Sequence, residues 1–226
     1  MNYDHLPPPS HLESVIDYRE STKGLKAQAF WFMDQIYGWC SHGKASILID
    51  IITRKQPEKI VEIGVWGGKS LIPMAYALKA LGKGKIYGID PWDNLASIEG
   101  MEDEANKAYW GRVDHEAVLQ GLIGRIDQFG LIEQVELIRA TSADASPIED
   151  IDILHIDGNH SDGVSWIDVA KWVPLVKSGG WIIVDDISWY ENGHFTQSKS
   201  VEWLDEHCIK IAVIPDVCVW GIWVKR

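Results

Sequence analysis

Along most of its length this chain repeats one pattern: a short apolar run stops at a glycine or an aspartate, and a helical stretch follows. Residues 59–63 stop at Gly64, 85–89 at Asp90, 151–156 at Asp157 and 181–184 at Asp185-Asp186, with a further run over 135–139. Helical spacing covers 70–81, stopped by Gly82, and 164–176, closed by Ser178-Gly179-Gly180. It also covers 103–129, with a break near Gly111. Strands spaced by helices call for right-handed crossovers and a mostly parallel sheet with helices on both faces. The tail departs from this. After a short helix over 200–207, apolar runs at 209–214 and 217–224 flank Pro215-Asp216, the mark of an antiparallel hairpin.

Ahead of the sheet, residues 1–25 read as a polar arm with a Pro7-Pro8-Pro9 turn, and 26–54 as two helices. The expected organisation is an arm and helical cap over 1–57 and a main domain over 58–226. The stretch from Trp92 to about Gly100 is expected to be a mobile loop beside the site.

At 226 residues and 46% hydrophobic, the chain can bury a substantial core. It has no apolar stretch long enough for a membrane span and no basic-then-apolar N-terminal signal, so a cytoplasmic location is expected. A net charge of -12 repels phosphate backbones and disfavours nucleic-acid binding. Cys40, Cys208 and Cys218 stand far apart and read as ordinary buried thiols. Twelve tryptophans are unusual. Trp172, Trp181, Trp220 and Trp223 fit a core. Trp66, Trp92 and Trp189 each follow a strand, where a flat ring would wall a ligand.

The first strand runs through Val61-Glu62-Ile63-Gly64-Val65-Trp66-Gly67-Gly68-Lys69-Ser70 into a helix. Glycine lets the backbone turn and approach a ligand closely, and a helix N-terminus offers free amides. A P-loop needs a glycine at position 63, which is Ile. A dinucleotide loop needs GxGxxG, and the glycines here fall at 64, 67 and 68. An S-adenosylmethionine loop starts from an acid, as Glu62-Ile63-Gly64 does, and Asp90 at the next strand end is placed to accept both ribose hydroxyls.

Asp157 and Asp185-Asp186 end two strands on the ligand-binding edge of such a sheet. Three converging carboxylates need protons or a cation, and oxygen ligands suit Mg²⁺ or Ca²⁺. Helix capping or metal-free substrate binding is the alternative. His160 is a candidate base, three residues past Asp157, with Asn159 as another polar contact.

Together these residues resemble the class I S-adenosylmethionine-dependent methyltransferases. Within them they are similar to the divalent-metal-dependent O-methyltransferases, such as the catechol, sugar and macrolide enzymes. The resemblance covers about 58–226; the first 57 residues only look like the family's helical cap. It implies a Rossmann-like, doubly wound, mostly parallel seven-stranded α/β sheet with an antiparallel last strand. The cofactor contacts it implies are Glu62, Gly64, Trp66, Ser70, Asp90 and Asp157, with Ser142 in Thr141-Ser142-Ala143 on the adenine side. The metal ligands it implies are Asp157, Asp185 and Asp186. Catechol enzymes carry a lysine base where this chain has His160, and an asparagine where it has Asp186. Sugar enzymes carry an aspartate base where it has Asn159. The resemblance implies methyl transfer to a hydroxyl of a small molecule with neighbouring oxygens. Trp92, Trp189 and residues 190–198 are expected to shape the substrate pocket. Metal-independent transfer, a non-catalytic cofactor-binding role and another tailoring reaction such as hydroxylation are the alternatives. The helical arm leaves room for a homodimer.

Overall fold

The structure, a computed structural model, describes residues 10–191 and 193–226, with side chains from residue 22 onward. The expected Pro7-Pro8-Pro9 turn lies outside the described residues.

The chain opens with α1 (Ser10–Met33) and α2 (His42–Lys55). The sheet units follow as β1 (Lys59–Ile63), α3 (Leu71–Leu81), β2 (Lys85–Asp90), α4 (Asn94–Ser97), α5 (Glu104–Trp110), α6 (His115–Gln128), β3 (Val135–Arg139) and β4 (Ile151–Ile156). Then come α7 (Asp162–Trp172), β5 (Val176–Val184), the small hairpin β6 (Tyr190–Glu191) and β7 (His194–Phe195), α8 (Ser198–His207), β8 (Cys208–Pro215) and β9 (Val219–Lys225). Seven strands form one sheet in the order β3-β2-β1-β4-β5-β9-β8. The first five are mutually parallel, and β9 runs antiparallel between β5 and β8. The expected architecture is therefore present, with the last strand inserted one place in from the edge.

Alternation along the strands builds a core on each face. Ile60, Ile153 and Ile183 face a layer that includes Phe32, Leu48, Leu71 and Leu122, so α1, α2, α3 and α6 cover that side. Val61, Leu154, Ile156, Ile182 and Val184 face α7 and α8 through Trp172 and Leu204. Trp220 joins the first core and Trp223 the second, and Trp181 packs against the first from a half-buried position. The N-terminal helices thus share one core with the sheet. Residues 10–25, expected as a polar arm, belong to α1.

Two further differences have local causes. Ser178-Gly179-Gly180 does not end a helix before the fifth strand; the helix stops earlier, at a short 3-10 turn (Val173–Leu175), and β5 carries the glycines through a register shift against β4. The segment after Trp92 is not an open loop. Asp93 caps α4 by accepting from the Leu95 and Ala96 amides, Asn159 Nδ2 donates to the Glu99 carbonyl at 2.9 Å, and Ser161 Oγ does so at 3.0 Å. Among the described residues, no helix is long and apolar enough to cross a membrane.

Candidate active site

Strand order reverses between β1 and β4, and the crevice beyond their carboxyl ends is where open α/β sheets bind ligands. Gly64 ends β1 and Asp157 ends β4, and their backbones touch. A Cβ on Gly64 would stand 2.0 Å from the Asp157 carbonyl oxygen. The glycine loop is pinned from the other side by Asp90. Its Oδ2 accepts from the Val65 and Trp66 amides at 3.0 and 2.9 Å, and its Oδ1 from the Trp92 amide at 2.7 Å. Burial pushes the Asp90 carboxyl up, against the opposing pull of these amides. Trp66, Trp92 and Asp186 all adopt positive φ, at 46°, 43° and 53°. Non-glycine residues rarely do so, and all three stand just past strand ends on this edge.

Below the loop lies a buried polar network that follows from strand alternation. Glu62 and His155 pair in register on β1 and β4, both on the face covered by α2 and α3. There Glu62 Oε1 accepts from Ser70 Oγ at 2.5 Å and from His155 Nδ1 at 2.9 Å. Asp185 faces the same side, two residues beyond Ile183. His155 Nε2 lies 3.6 Å from its Oδ2. The same Oδ2 accepts from the ammonium of Lys44, which stands 3.8 Å from Asp157 Oδ2. Lys44 is 3% exposed and lies in the first turn of α2, three residues past the N-cap Ser41. A cation there is opposed both by burial and by the positive end of the helix, so its carboxylate partners are what hold it. Breaking a buried pair of this kind costs about 3–5 kcal/mol. Burial lowers the Lys44 pKa, but Asp185 and then Asp157 outweigh it and the group stays charged. Burial raises Asp185, and Lys44 and His155 outweigh it and hold the carboxyl well below its usual range. Asp157 is driven up by burial and by the Asp185 charge, with Lys44 opposing.

Burial and Lys44 lower the His155 pKa, but Asp185 and Glu62 prevail and set it at about 9. A histidine raised on folding stabilises the protein fully below its unfolded pKa, near 6.5, and loses that contribution as pH climbs through the folded value. Thermal stability is therefore expected to fall between pH 6.5 and just above 9, by on the order of 3 kcal/mol from this group. A His155→Gln variant should flatten that slope. An equally steep slope in the variant would assign it to other groups.

A cavity of about 470 Å³ opens above this floor. One side is the glycine loop with Asp90 and Ser70, and the other is Asp157, His160, Asp186 and Trp189. Positive φ at Asp186 turns its side chain away from Asp185 and toward His160, whose Nε2 lies 3.0 Å from Asp186 Oδ2. Gln197, buried at the start of α8, donates one amide N–H to the Asp185 carbonyl at 2.8 Å and presents the same nitrogen to His160 Nδ1 at 3.2 Å. Nδ1 is thus the acceptor, and the ring proton sits on Nε2 beside Asp186.

Rings close the mouth. Tyr37, Trp39, Trp66, Tyr109 and Trp110 form a continuous chain of contacts at 5.1–6.4 Å. Trp66 and Trp189 line the cavity, as expected of them. Trp92 does not: it is 2% exposed and its indole N–H donates to the Trp66 carbonyl at 3.0 Å, so it props the loop from behind. None of the described residues of 190–198 lines the cavity either. Ser142 also lies off the wall, its hydroxyl donated to the buried Asp168. Glu62 does not line the cavity and acts on it through Ser70 and through the His155–Asp185 pair. Of the thiols, Cys40 and Cys208 are buried, as expected, and Cys218 is half-buried; Cys40 and Cys218 also reach the cavity wall, and burial pushes Cys40 up to about 12.

The three carboxylates do not gather as one ligand set. Potential metal ligands among the described residues fall into two groups that share Asp157: His155, Asp157 and Asp185 below, and Asp157, His160 and Asp186 facing the cavity. Asp185 and Asp186 part because one points inward with the strand alternation and the other leaves it. Sequence reasoning missed the rings of the mouth other than Trp66, namely Tyr37, Trp39, Tyr109 and Trp110, and it missed Lys44, Gln197 and His155. Only His155 carried a signal, as a histidine in the apolar stretch that ends β4, opposite a glutamate in the neighbouring strand.

The cavity suits S-adenosylmethionine. Its carboxylates match a sulfonium and an ammonium, its rings match a flat base, and Trp66 Nε1 and His115 Nδ1 on its wall are buried without a partner.

Comparison with known proteins gives the family and the fold. The chain matches the methyltransferase domain family over residues 61–187, more than half its length. It is 27% identical over 146 residues to demethyldecarbamoylnovobiocin O-methyltransferase of Streptomyces niveus, over 61% of this chain and 55% of that protein. The chain thus spans about half the length of that curated relative. Among solved structures, the fold is similar to the S-adenosylhomocysteine-bound methyltransferase PaMTH1 of Podospora anserina (TM-score 0.62, 12% identity, 98% of each chain). It is also similar to the O-methyltransferase TomG of Streptomyces achromogenes in complex with S-adenosylmethionine (TM-score 0.59, 15% identity, 94% of this chain and 96% of that one). The matched span holds the glycine loop, Asp90, Asp157 and the Asp185-Asp186 pair, and the chain belongs to the methyltransferase domain family, among the class I S-adenosylmethionine-dependent methyltransferases.

Proposed function

We propose that this protein is an S-adenosylmethionine-dependent O-methyltransferase acting on a hydroxyl of a small molecule. The observation that carries the reading is the cavity itself, with a cofactor wall of Gly64, Trp66, Ser70 and Asp90 facing an acceptor wall of Asp157, His160 and Asp186. S-adenosylmethionine supplies a methyl group already activated for displacement, so the protein's task is alignment. Asp90 keeps one carboxylate lone pair, on Oδ1, for a ribose hydroxyl, while its three amide contacts hold the loop. Glu62 orients Ser70. The Asp186–His160 pair takes the hydroxyl proton, at the Asp186 carboxylate, with the His160 N–H beside it to stabilise the charge. A weak base suffices, because the hydroxyl becomes strongly acidic as its oxygen bonds the methyl carbon. This differs from a lone His160 base, since Gln197 covers the ring nitrogen that could accept.

A second reading keeps a divalent ion, Mg²⁺ or Ca²⁺. It is favoured by the cavity-facing group of Asp157, His160 and Asp186, whose ligand atoms lie within 4.8 Å of one another. Asp157 and Asp186 would hold the ion, joined by His160 Nε2 once its proton is displaced, and the ion would supply Lewis acidity toward two neighbouring oxygens.

Calorimetric titration of S-adenosylhomocysteine, with and without Mg²⁺, tests the cofactor. Turnover of labelled cofactor against a panel of diols and phenols, with and without chelator, tests the transfer. Micromolar binding with acceptor-dependent turnover is expected. No binding under any condition would overturn the reading.

A further inference from the structure

We propose that the lysine on α2, Lys44, is the built-in cation of the acceptor end of this site, standing where the acidic residues would otherwise call for a metal, so that the protein works without a divalent ion. The inference rests on the methyltransferase reading for its function, but its geometry stands independently.

Lys44 Nζ is hydrogen-bonded to Asp185 and lies 3.8 Å from Asp157 Oδ2, so two members of the inner group already share one ammonium. Asp157 also belongs to the cavity-facing group, which places any ion there close to the same fixed charge. A divalent cation and an ammonium separated by a few ångströms in a water-poor interior repel strongly, and sharing one carboxylate does not offset that. Lys44 has no route out. Its side chain is 3% exposed, with the Trp220 ring 5.8 Å from Nζ. Its helix is tied down by the Ser41 cap, whose hydroxyl is in turn bonded to Asp216 in the β8–β9 turn. Local rules also argue that the lysine is there for its charge: a cation in the first turn of a helix, and a buried one, is disfavoured twice over. Lys44 does not line the cavity, so it is a positioning residue. It neutralises Asp185 and steadies Asp157, leaving the floor able to receive a hydroxyl without an assembled pair of bare carboxylates.

Mn²⁺ titrated into the full chain, followed by its paramagnetic resonance signal, reads the site directly. The wild type is expected to show no saturable Mn²⁺ site at Asp157, and its turnover should be unchanged by excess chelator. Lys44→Met, which keeps the stem and removes the charge, should gain Mn²⁺ affinity by at least roughly tenfold, and Asp157→Asn in that background should remove the gain. A saturable wild-type site that Asp157→Asn abolishes, or turnover lost to chelator, would overturn the proposal. So would a Lys44→Met protein that binds S-adenosylhomocysteine normally yet gains no Mn²⁺ affinity. If Lys44→Met does not fold, the wild-type titration decides alone. Failure to bind S-adenosylhomocysteine in the wild type would strike the methyltransferase reading and leave the Mn²⁺ result in place.

Discussion

Replacing Gly64 with alanine is expected to cost about 4 kcal/mol or more, lowering the melting temperature by about 10 °C, and to abolish measurable S-adenosylhomocysteine binding. The added Cβ would stand 2.0 Å from the Asp157 carbonyl oxygen, 2.4 Å from its carbon and 2.5 Å from Gly158 Cα, all backbone atoms of the neighbouring strand end. Relief requires β1 and β4 to separate where they carry the cofactor loop and the acceptor aspartate. Backbone strain at φ +83° adds to the cost. Gly68→Ala is the control. Its φ is also positive, at +80°, but its Cβ meets Leu122 Cδ1, the end of a side chain that can turn aside. Its loss should be roughly 1–2 kcal/mol with binding retained. Thermal unfolding and calorimetry of both variants check the ranking; an equal or greater loss at Gly68 would show that the strand-to-strand contact is not what requires Gly64.

That glycine shows how far the sequence could be read. Its place after an apolar strand and before a helix marked a close approach, but not what approaches; the nearest neighbour is the Asp157 backbone rather than a ligand. The sheet was legible because each strand carries its own punctuation, and because alternation of period two assigns faces without knowing partners. The same alternation in principle separates Asp185 from Asp186, yet the separation depends on a φ of +53° that an aspartate seldom adopts. Trp92 was expected in the cavity wall for its position after a strand, and a positive φ turned it into the core. Lys44 left no trace. It lies 141 residues from Asp185, on a helix whose apolar spacing says only that one side is buried. The requirement for a cation among the acids was readable; that the cation is a side chain was not. Gln197 is hidden for the same reason, since its role exists only where the α8 start meets the turn after β4.

Asp186→Asn is expected to lower kcat by about 10²–10⁴-fold while leaving S-adenosylhomocysteine affinity unchanged. The amide keeps the shape of the side chain and loses the ability to take a proton. Asp186 lies across the cavity from the glycine loop proposed to hold the cofactor, which is why binding and turnover should separate. His160→Ala should cost less, roughly tenfold, because the ring steadies the carboxylate and its accepting nitrogen is turned toward Gln197. The order of the two losses is the informative result. If His160→Ala is the more damaging and added imidazole restores its rate, the proton goes straight to the ring and Gln197 must swing aside during turnover. If Asp186→Asn is the more damaging, in chelator and with KM little changed, the carboxylate receives the proton, and the turn that separates Asp186 from Asp185 divides the acidic pair into a reactive member and one held by Lys44.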